Sequence, residues 1–286
     1  MNLKDAQLSR TIPDEEKIQA NKELDAYGFA SVPGFLTPET LSQLLTLTEQ
    51  QYLSLNAEQK VQYKGVPARD KDDKILYNLH NIDRLYLDLL VTPFVRDIAM
   101  GRLNDPYYRF LPADVPNYVL QYYNARSSGE RLDLHIDSYM PFPGDRTNMM
   151  QFVFLLEDST VDNGCTVVVP GSHKSGHYTD RDLKNVKPLT GKAGDLIFWD
   201  SRLWHGTLEN VTKRSRWALI ATLGQWWVKP SMDIVRGMND TIYRRCSDEQ
   251  KQLLGFCAIP PVNEFERNNT KCGYDFLKPS VKDYEF

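Results

Sequence analysis

Apolar residues recur with two different periods along this chain, and the change falls near Asn117. Before it the spacing is helical. Residues 14–26 form a charged amphipathic helix candidate, which Tyr27-Gly28-Phe29 breaks into a short strand ending at Pro33-Gly34. Thr37-Pro38-Glu39 reads as a helix start, with a hydroxyl N-cap, proline at the first helical position and an acid in the first turn. The run LSQLLTLTEQQYLSL that follows carries leucines at helical spacing. Residues 56–80, with VPARDKDDK among them, are polar and mixed and predict a mobile surface loop or lid. A further helical stretch at 82–102 makes 1–110 a mainly helical part.

From Asn117 the period is two. Strands are predicted at 117–124, 131–137, 149–157, 165–169, 186–190, 195–200, 203–207 and 215–228, separated by turn signals such as Ser127-Ser128-Gly129, Asp162-Asn163-Gly164 and Gly191-Lys192-Ala193-Gly194. Eight short antiparallel strands within 117–228 point to a double-stranded β-helix, a cupin-like jelly roll. Beyond it, 229–286 is expected as a C-terminal helical extension, with a helix at about 247–254 started by Ser247 and Gln250 as a capping box. No internal repeat or low-complexity tract interrupts this order. The expected fold class is mainly β with flanking helices, in one domain over 1–286.

Composition narrows the function classes. With 41% hydrophobic and 25% charged residues over 286 positions, the chain has the make-up of an ordinary soluble globular protein. A net charge of −4 gives no reason to expect nucleic acid or an anionic membrane as partner. No apolar run approaches the roughly 18 residues that span a bilayer. The N-terminus lacks the apolar segment of a secretory signal, and the final DYEF is neither a peroxisomal nor a lipidation signal. Cys165, Cys246, Cys257 and Cys272 are scattered without C-x-x-C spacing, which fits reduced thiols and a cytoplasmic location.

Chemistry concentrates in four residues. On a strand alternate side chains share a face, so Asp133, His135 and Asp137 are expected to point into the barrel while Leu132, Leu134 and Ile136 pack the other way. His-x-Asp alone is a weak signal. His205, next to Leu203 and Trp204, reads as buried, and Arg216 opens the apolar run WALIATL, where an inward guanidinium needs a carboxylate partner. Two histidines and one carboxylate occupy one face of a metal octahedron and leave three positions open, enough for a chelating 2-oxo acid and O2. Charge counting agrees: neutral histidines and one aspartate leave Fe(II) at +1, a 2-oxoglutarate dianion brings the set to −1, and Arg216 neutralises it.

With H-I-D at 135–137, N-G-C-T-V-V-V-P-G-S-H at 163–173, G-D-L-I-F-W-D at 194–200, H-G-T at 205–207 and an arginine eleven residues after His205, the stretch from Tyr27 to Val228 resembles the phytanoyl-CoA dioxygenase family of Fe(II)/2-oxoglutarate-dependent oxygenases. The resemblance implies that His135, Asp137 and His205 hold iron and that Arg216 takes the distal carboxylate of 2-oxoglutarate. It implies further hydrogen bonds to that co-substrate from Thr207 and Gln121. Lys64 lies where some family members supply a lysine. The presence of Asp137, which related halogenases replace by glycine or alanine, favours hydroxylation over chlorination.

The activity expected is therefore a 2-oxoglutarate-dependent dioxygenase that hydroxylates an unactivated C–H bond of a small-molecule metabolite and releases succinate and CO2. Beyond the metal centre no amino-acid nucleophile or general base is required. Substrate contacts are expected from Tyr77, Asn78, Arg126, Tyr139 and Trp226. His173 and His177 are four apart but flank a Ser-Gly turn, and His80 is expected at a surface or helix end. Two other readings stay open: a non-catalytic jelly-roll binding module, and an iron oxygenase that does not use 2-oxoglutarate.

Overall fold

The computed structural model describes residues 7–60, 73–108, 111–112, 114–127, 129–138, 140–177, 179, 183–212, 214–259 and 264–265. Two compact units divide the chain: Met1–Tyr77 with Tyr123–Ala221, and Asn78–Tyr122 with Thr222–Phe286.

The first unit opens with α1 (Asp14–Tyr27), whose first turn carries Asp14, Glu15 and Glu16 against the helix dipole. It ends at Gly28, which adopts φ +84° and donates its N–H to the Leu24 carbonyl. A Cβ there would also lie 2.6 Å from His173 Nδ1, so both conformation and space require glycine. The chain continues as β1 (Phe29–Val32) and α2 (Pro38–Ser54). Thr37 caps α2 by accepting from the Thr40 N–H, as the sequence predicts, and the helix buries Thr40, Leu44 and Thr48 at a four-residue interval.

All eight core strands form. In order they are β3 (Val119–Ser127), β4 (Leu132–His135), β5 (Met149–Leu155), β6 (Thr166–Val168), β7 (Lys187–Leu189), β8 (Leu196–Asp200), β9 (His205–Thr207) and β10 (Ala218–Gly224). One further strand, β2 (Lys74–Tyr77), was not anticipated. It lies within the predicted lid at 56–80 and pairs antiparallel with β3, from Lys74 opposite Ser127 to Tyr77 opposite Asn124. The end of that segment is thus sheet, 61–72 with Lys64 lies outside the described residues, and the lid expectation shrinks accordingly.

The strands make two sheets, one ordered β1-β8-β5-β10-β3-β2 and the other β4-β9-β6-β7. Val153, Leu155, Ile197, Trp199 and Ala218 from the larger sheet meet Val168 of the smaller one and Leu203 in a common buried cluster. This is the expected jelly roll, a β architecture with flanking helices. Strands β5 and β8 are buried at every position, which is why they read as continuous apolar runs rather than alternating ones.

The second unit collects α3 (Arg84–Leu90), α4 (Pro93–Leu103) and the short helices α5 (Ile234–Gly237), α6 (Asp240–Arg245) and α7 (Asp248–Leu253). Long-range polar contacts join them: Gln252 donates to the Tyr118 carbonyl at 2.8 Å, Gln250 to Asp88 at 2.6 Å, and Arg96 pairs with Glu249 at 3.0 Å. Ser247 and Gln250 form the capping box predicted for α7. Among the described residues no helix is long and apolar enough to cross a membrane, and Cys165, Cys246 and Cys257 are buried thiols.

His80 corrects the expectation of a surface histidine: it is 2% exposed in a 3-10 turn, Leu79–Asn81. Burial pushes its pKa from 6.5 down to about 4. Between those values the unfolded chain binds a proton that the folded chain refuses, so stability is lost as pH falls through this window. The contribution is on the order of 3 kcal/mol. Urea unfolding from pH 7 to 4 should show a steeper loss for the wild type than for His80→Gln; parallel curves would exclude the effect.

Candidate metal centre

Strands β4 and β9 run antiparallel with His135 directly opposite His205. Their ring centroids lie 4.3 Å apart. Asp137 follows two residues after β4, in a turn fixed by its own N–H and that of Ser138, which both donate to the Ser201 carbonyl at 2.9 and 3.1 Å. Its carboxylate reaches both rings: Oδ1 is 3.7 Å from His135 Nε2 and Oδ2 is 3.2 Å from His205 Nε2. One potential ligand atom from each residue lies within 4.8 Å of the others.

The strand does not alternate as simply as its sequence implied. Pairing between β4 and β9 shifts register between Leu132 and His135, and β4 is the edge of its sheet. Leu132 is consequently exposed rather than packed, and the Asp133 carboxylate turns to solvent beside Arg131, 3.5 Å away.

Hydrogen bonding sets the tautomers. His135 Nδ1 lies 2.9 Å from the Asp133 carbonyl and His205 Nδ1 2.9 Å from that of Leu203. A carbonyl only accepts, so both Nδ1 atoms carry the proton, and in the neutral rings both Nε2 atoms present lone pairs inward. Burial holds the His205 pKa below its ordinary value, against the opposing pull of Asp137, and nearby His135 lowers it further. Asp137 Oδ2 is buried and receives no hydrogen bond among the described residues. Three lone-pair donors thus converge where no proton stands between them. A divalent cation resolves that conflict, and the donor set fits one. Trp199, its ring centroid 5.0 Å from that of His205, gives the centre an apolar wall.

Arg216 is buried in the same unit, its N–H donating to Ser127 Oγ at 2.9 Å. Its Nε has no hydrogen-bond partner among the described residues. Burial lowers its pKa, Cys165 and Asp73 oppose the shift, and Arg126 adds to it. A buried guanidinium with a vacant N–H is prepared for an anion. Thr207 shares the inward face of β9 with His205, and its hydroxyl oxygen accepts from the Leu132 N–H at 3.1 Å.

The remaining predicted residues are more dispersed. Tyr77 closes β2, and Arg126 lies half-buried on β3 opposite Ile75. Gln121, Asn78 and Trp226 belong to the second unit. There Gln121 donates to the Val228 carbonyl at 3.3 Å, Asn78 is exposed with φ +57°, and the Trp226 indole donates to Asp105 at 2.8 Å. Tyr139 lies outside the described residues. Among the described residues, the metal-capable cluster consists of His135, Asp137 and His205, without His173 or His177. Sequence reasoning passed over Asp200 and Arg202, a buried ion pair in the turn leading to His205. Its signal was a carboxylate and a guanidinium two apart within the apolar run F-W-D-S-R-L-W.

A double-stranded β-helix carrying two histidines and a carboxylate on neighbouring strand ends is the architecture of a mononuclear metal enzyme. More narrowly, the chain belongs to the phytanoyl-CoA dioxygenase (PhyH) family, which matches residues 24–218. Dioxygenase af480 of Aspergillus fumigatus is 24% identical over 248 residues, covering 84% of this chain and 77% of that protein. The epimerase SnoN of nogalamycin biosynthesis, solved with Fe3+, alpha ketoglutarate and nogalamycin RO, superposes with a TM-score of 0.58 at 16% identity, over 74% of this chain and 85% of its own. HygX from Streptomyces hygroscopicus, solved with nickel, 2-oxoglutarate and hygromycin B, gives 0.56 at 16% identity, over 73% and 87%. At these identities the structural likeness is one of fold.

Gly206, between His205 and Thr207, allows β4 and β9 to approach. A Cβ there would overlap the Leu132 carbonyl oxygen and lie 3.2 Å from that of Asp133. Gly206→Ala should therefore push the strands apart, lowering stability by about 2 kcal/mol and weakening Ni(II) binding. Thermal melts and calorimetric Ni(II) titration test this; unchanged affinity would contradict it.

Proposed function

We propose that this chain is an Fe(II)- and 2-oxoglutarate-dependent dioxygenase that hydroxylates a C–H bond of a small-molecule metabolite, with succinate and CO2 as co-products. The observation that carries the reading is the convergence of His135 Nε2, His205 Nε2 and the undonated Asp137 Oδ2 on one point. When bound, iron and 2-oxoglutarate supply the oxidising power, drawn from O2, to break an unactivated C–H bond. The chain's own residues hold, orient and exclude water. His135, Asp137 and His205 would hold the ion, and three protein ligands would leave coordination positions for co-substrate and O2.

Arg216 takes the distal carboxylate of 2-oxoglutarate, with Thr207 and Gln121 adding hydrogen bonds. The vacant Nε of Arg216 in a buried position supports this role, as do the 2-oxoglutarate and alpha ketoglutarate held by HygX and SnoN. Tyr77, Asn78, Arg126, Tyr139 and Trp226 are assigned to substrate, the chain is read as one domain over 1–286, and its location as the cytoplasm. SnoN is an epimerase: a product heavier by one oxygen supports hydroxylation, whereas a diastereomer of unchanged mass, separable from the substrate, supports inversion of a stereocentre instead.

Anaerobic titration of the Fe(II)-loaded chain with 2-oxoglutarate should give a saturable visible charge-transfer band. His135→Ala should abolish it, and Arg216→Gln should weaken 2-oxoglutarate binding roughly 30-fold or more by removing a buried charge pair. No band from folded, iron-loaded protein would overturn the 2-oxoglutarate assignment and favour an iron oxygenase without it. Absence of iron uptake would favour a binding module.

A further inference from the structure

The buried pair Asp200–Arg202 lies outside the three ligands yet is bound more fully than any of them. Both side chains are nearly inaccessible, at 3% and 2%. The Asp200 carboxylate accepts four hydrogen bonds: Oδ1 from the Arg202 N–H and Nε, both at 2.9 Å, and Oδ2 from Arg202 Nη2 and Thr147 Oγ1, both at 2.8 Å. The remaining arm, Nη1, donates to the carbonyls of Gly144 at 2.8 Å and Phe142 at 3.3 Å, while the guanidinium lies 4.6 Å from the Phe142 ring centroid.

Stability alone does not account for such a pair. Two buried charges lose their hydration, and well-packed apolar side chains of similar volume are often as stabilising. What apolar residues lack is the ability to grip main-chain groups, here the Arg202 N–H and the carbonyls of Phe142 and Gly144. Here that grip falls on the support of the metal centre. The turn enclosed by the pair contains Ser201, whose carbonyl accepts the N–H groups of Asp137 and Ser138, and whose own N–H donates to Met149. Leu203 donates to the Asp200 carbonyl at 2.8 Å and offers its own carbonyl to His205 Nδ1. One turn therefore fixes the backbone of the carboxylate ligand and the ring of a histidine ligand. Through Nη1 it also holds the segment at 142–144 that follows Asp137.

We propose that Asp200 and Arg202 are positioning residues. They set Asp137 and His205 for a single ion and anchor the stretch from Phe142 to Gly144 that follows Asp137 in the chain. This inference rests on the metal-centre reading above, and its test separates the two.

Arg202→Met alone leaves a buried carboxylate short of its donors and threatens folding. The informative variants are Asp200→Asn/Arg202→Met, which removes both charges, and Arg202→Lys, which keeps the charge without the fork. Folded Asp200→Asn/Arg202→Met should bind Ni(II) about 10- to 100-fold more weakly, with an altered Co(II) absorption spectrum, and Arg202→Lys should fall between it and wild type. Leu44→Ala, in the α2 core, is the control for general destabilisation: its Tm should fall while its Ni(II) affinity and Co(II) spectrum stay at wild-type values. Wild-type affinity and spectrum in Asp200→Asn/Arg202→Met would overturn the positioning role. A wild-type chain that binds neither Ni(II) nor Co(II) would overturn the metal reading beneath it.

Discussion

Everything chemical in this chain depends on the register of β4 against β9. His135 stands opposite His205 in that pairing, and their imidazoles meet because the two strands approach closely at Gly206. A one-residue slip would turn one histidine to the opposite face of the sheet. The strands are too short to secure this by themselves, with four and three residues. Register is held from outside. β9 is pinned on its other edge by β6, where Val168 faces His205, and the chain beyond β4 is tied at Ser201. Short strands and strong flanking contacts give the centre its geometry while leaving β4 free to bend away after His135.

The same centre is electrostatically incomplete. Two imidazole nitrogens face a carboxylate oxygen that no donor reaches among the described residues, where a buried guanidinium also has one N–H without a partner. Each feature costs folding free energy, because buried polar groups without partners are unfavourable. An ion and an anion that bound only the folded chain would return that cost through linkage, which would join binding and stability at these two places. His80, by contrast, is a buried histidine with no counter-charge among the described residues to restore its pKa.

Where local physics decided the structure, the sequence could be read. Thr37 and Ser247 cap their helices through their own side chains, and glycine turns separate the core strands, so these features were visible residue by residue. His135, Asp137, His205 and Arg216 were visible as a spacing. What escaped depended on distant partners. The strand Lys74–Tyr77 is four residues at a sheet edge after a polar stretch, and only β3 makes it a strand. The inward face assigned to Asp133 failed because an irregular edge strand does not keep strict alternation. Asp200 and Arg202 interrupt an apolar run, which ordinarily signals exposure. They are buried because Thr147, Phe142 and Gly144, more than fifty residues earlier, complete their hydrogen bonds.

The three ligands are unequally covered, and the inequality gives the centre a direction. The His205 side chain is 8% exposed and that of Asp137 13%, whereas His135 is 35% exposed. Trp199 and the inter-sheet cluster close the His205 side, so the open side is that of His135 at the sheet edge. The segment that follows Asp137 continues from β4 on that side. That segment belongs to no regular element, yet it is not loose at Phe142 and Gly144, because Arg202 holds both carbonyls. Irregular backbone held by buried side chains can vary in sequence without moving the ligands, since Asp137 and His205 are fixed through Ser201 and Leu203 instead. The fold thereby holds Asp137 and His205 from within, through the turn at Ser201 and Leu203, and leaves His135 as the exposed member of the cluster.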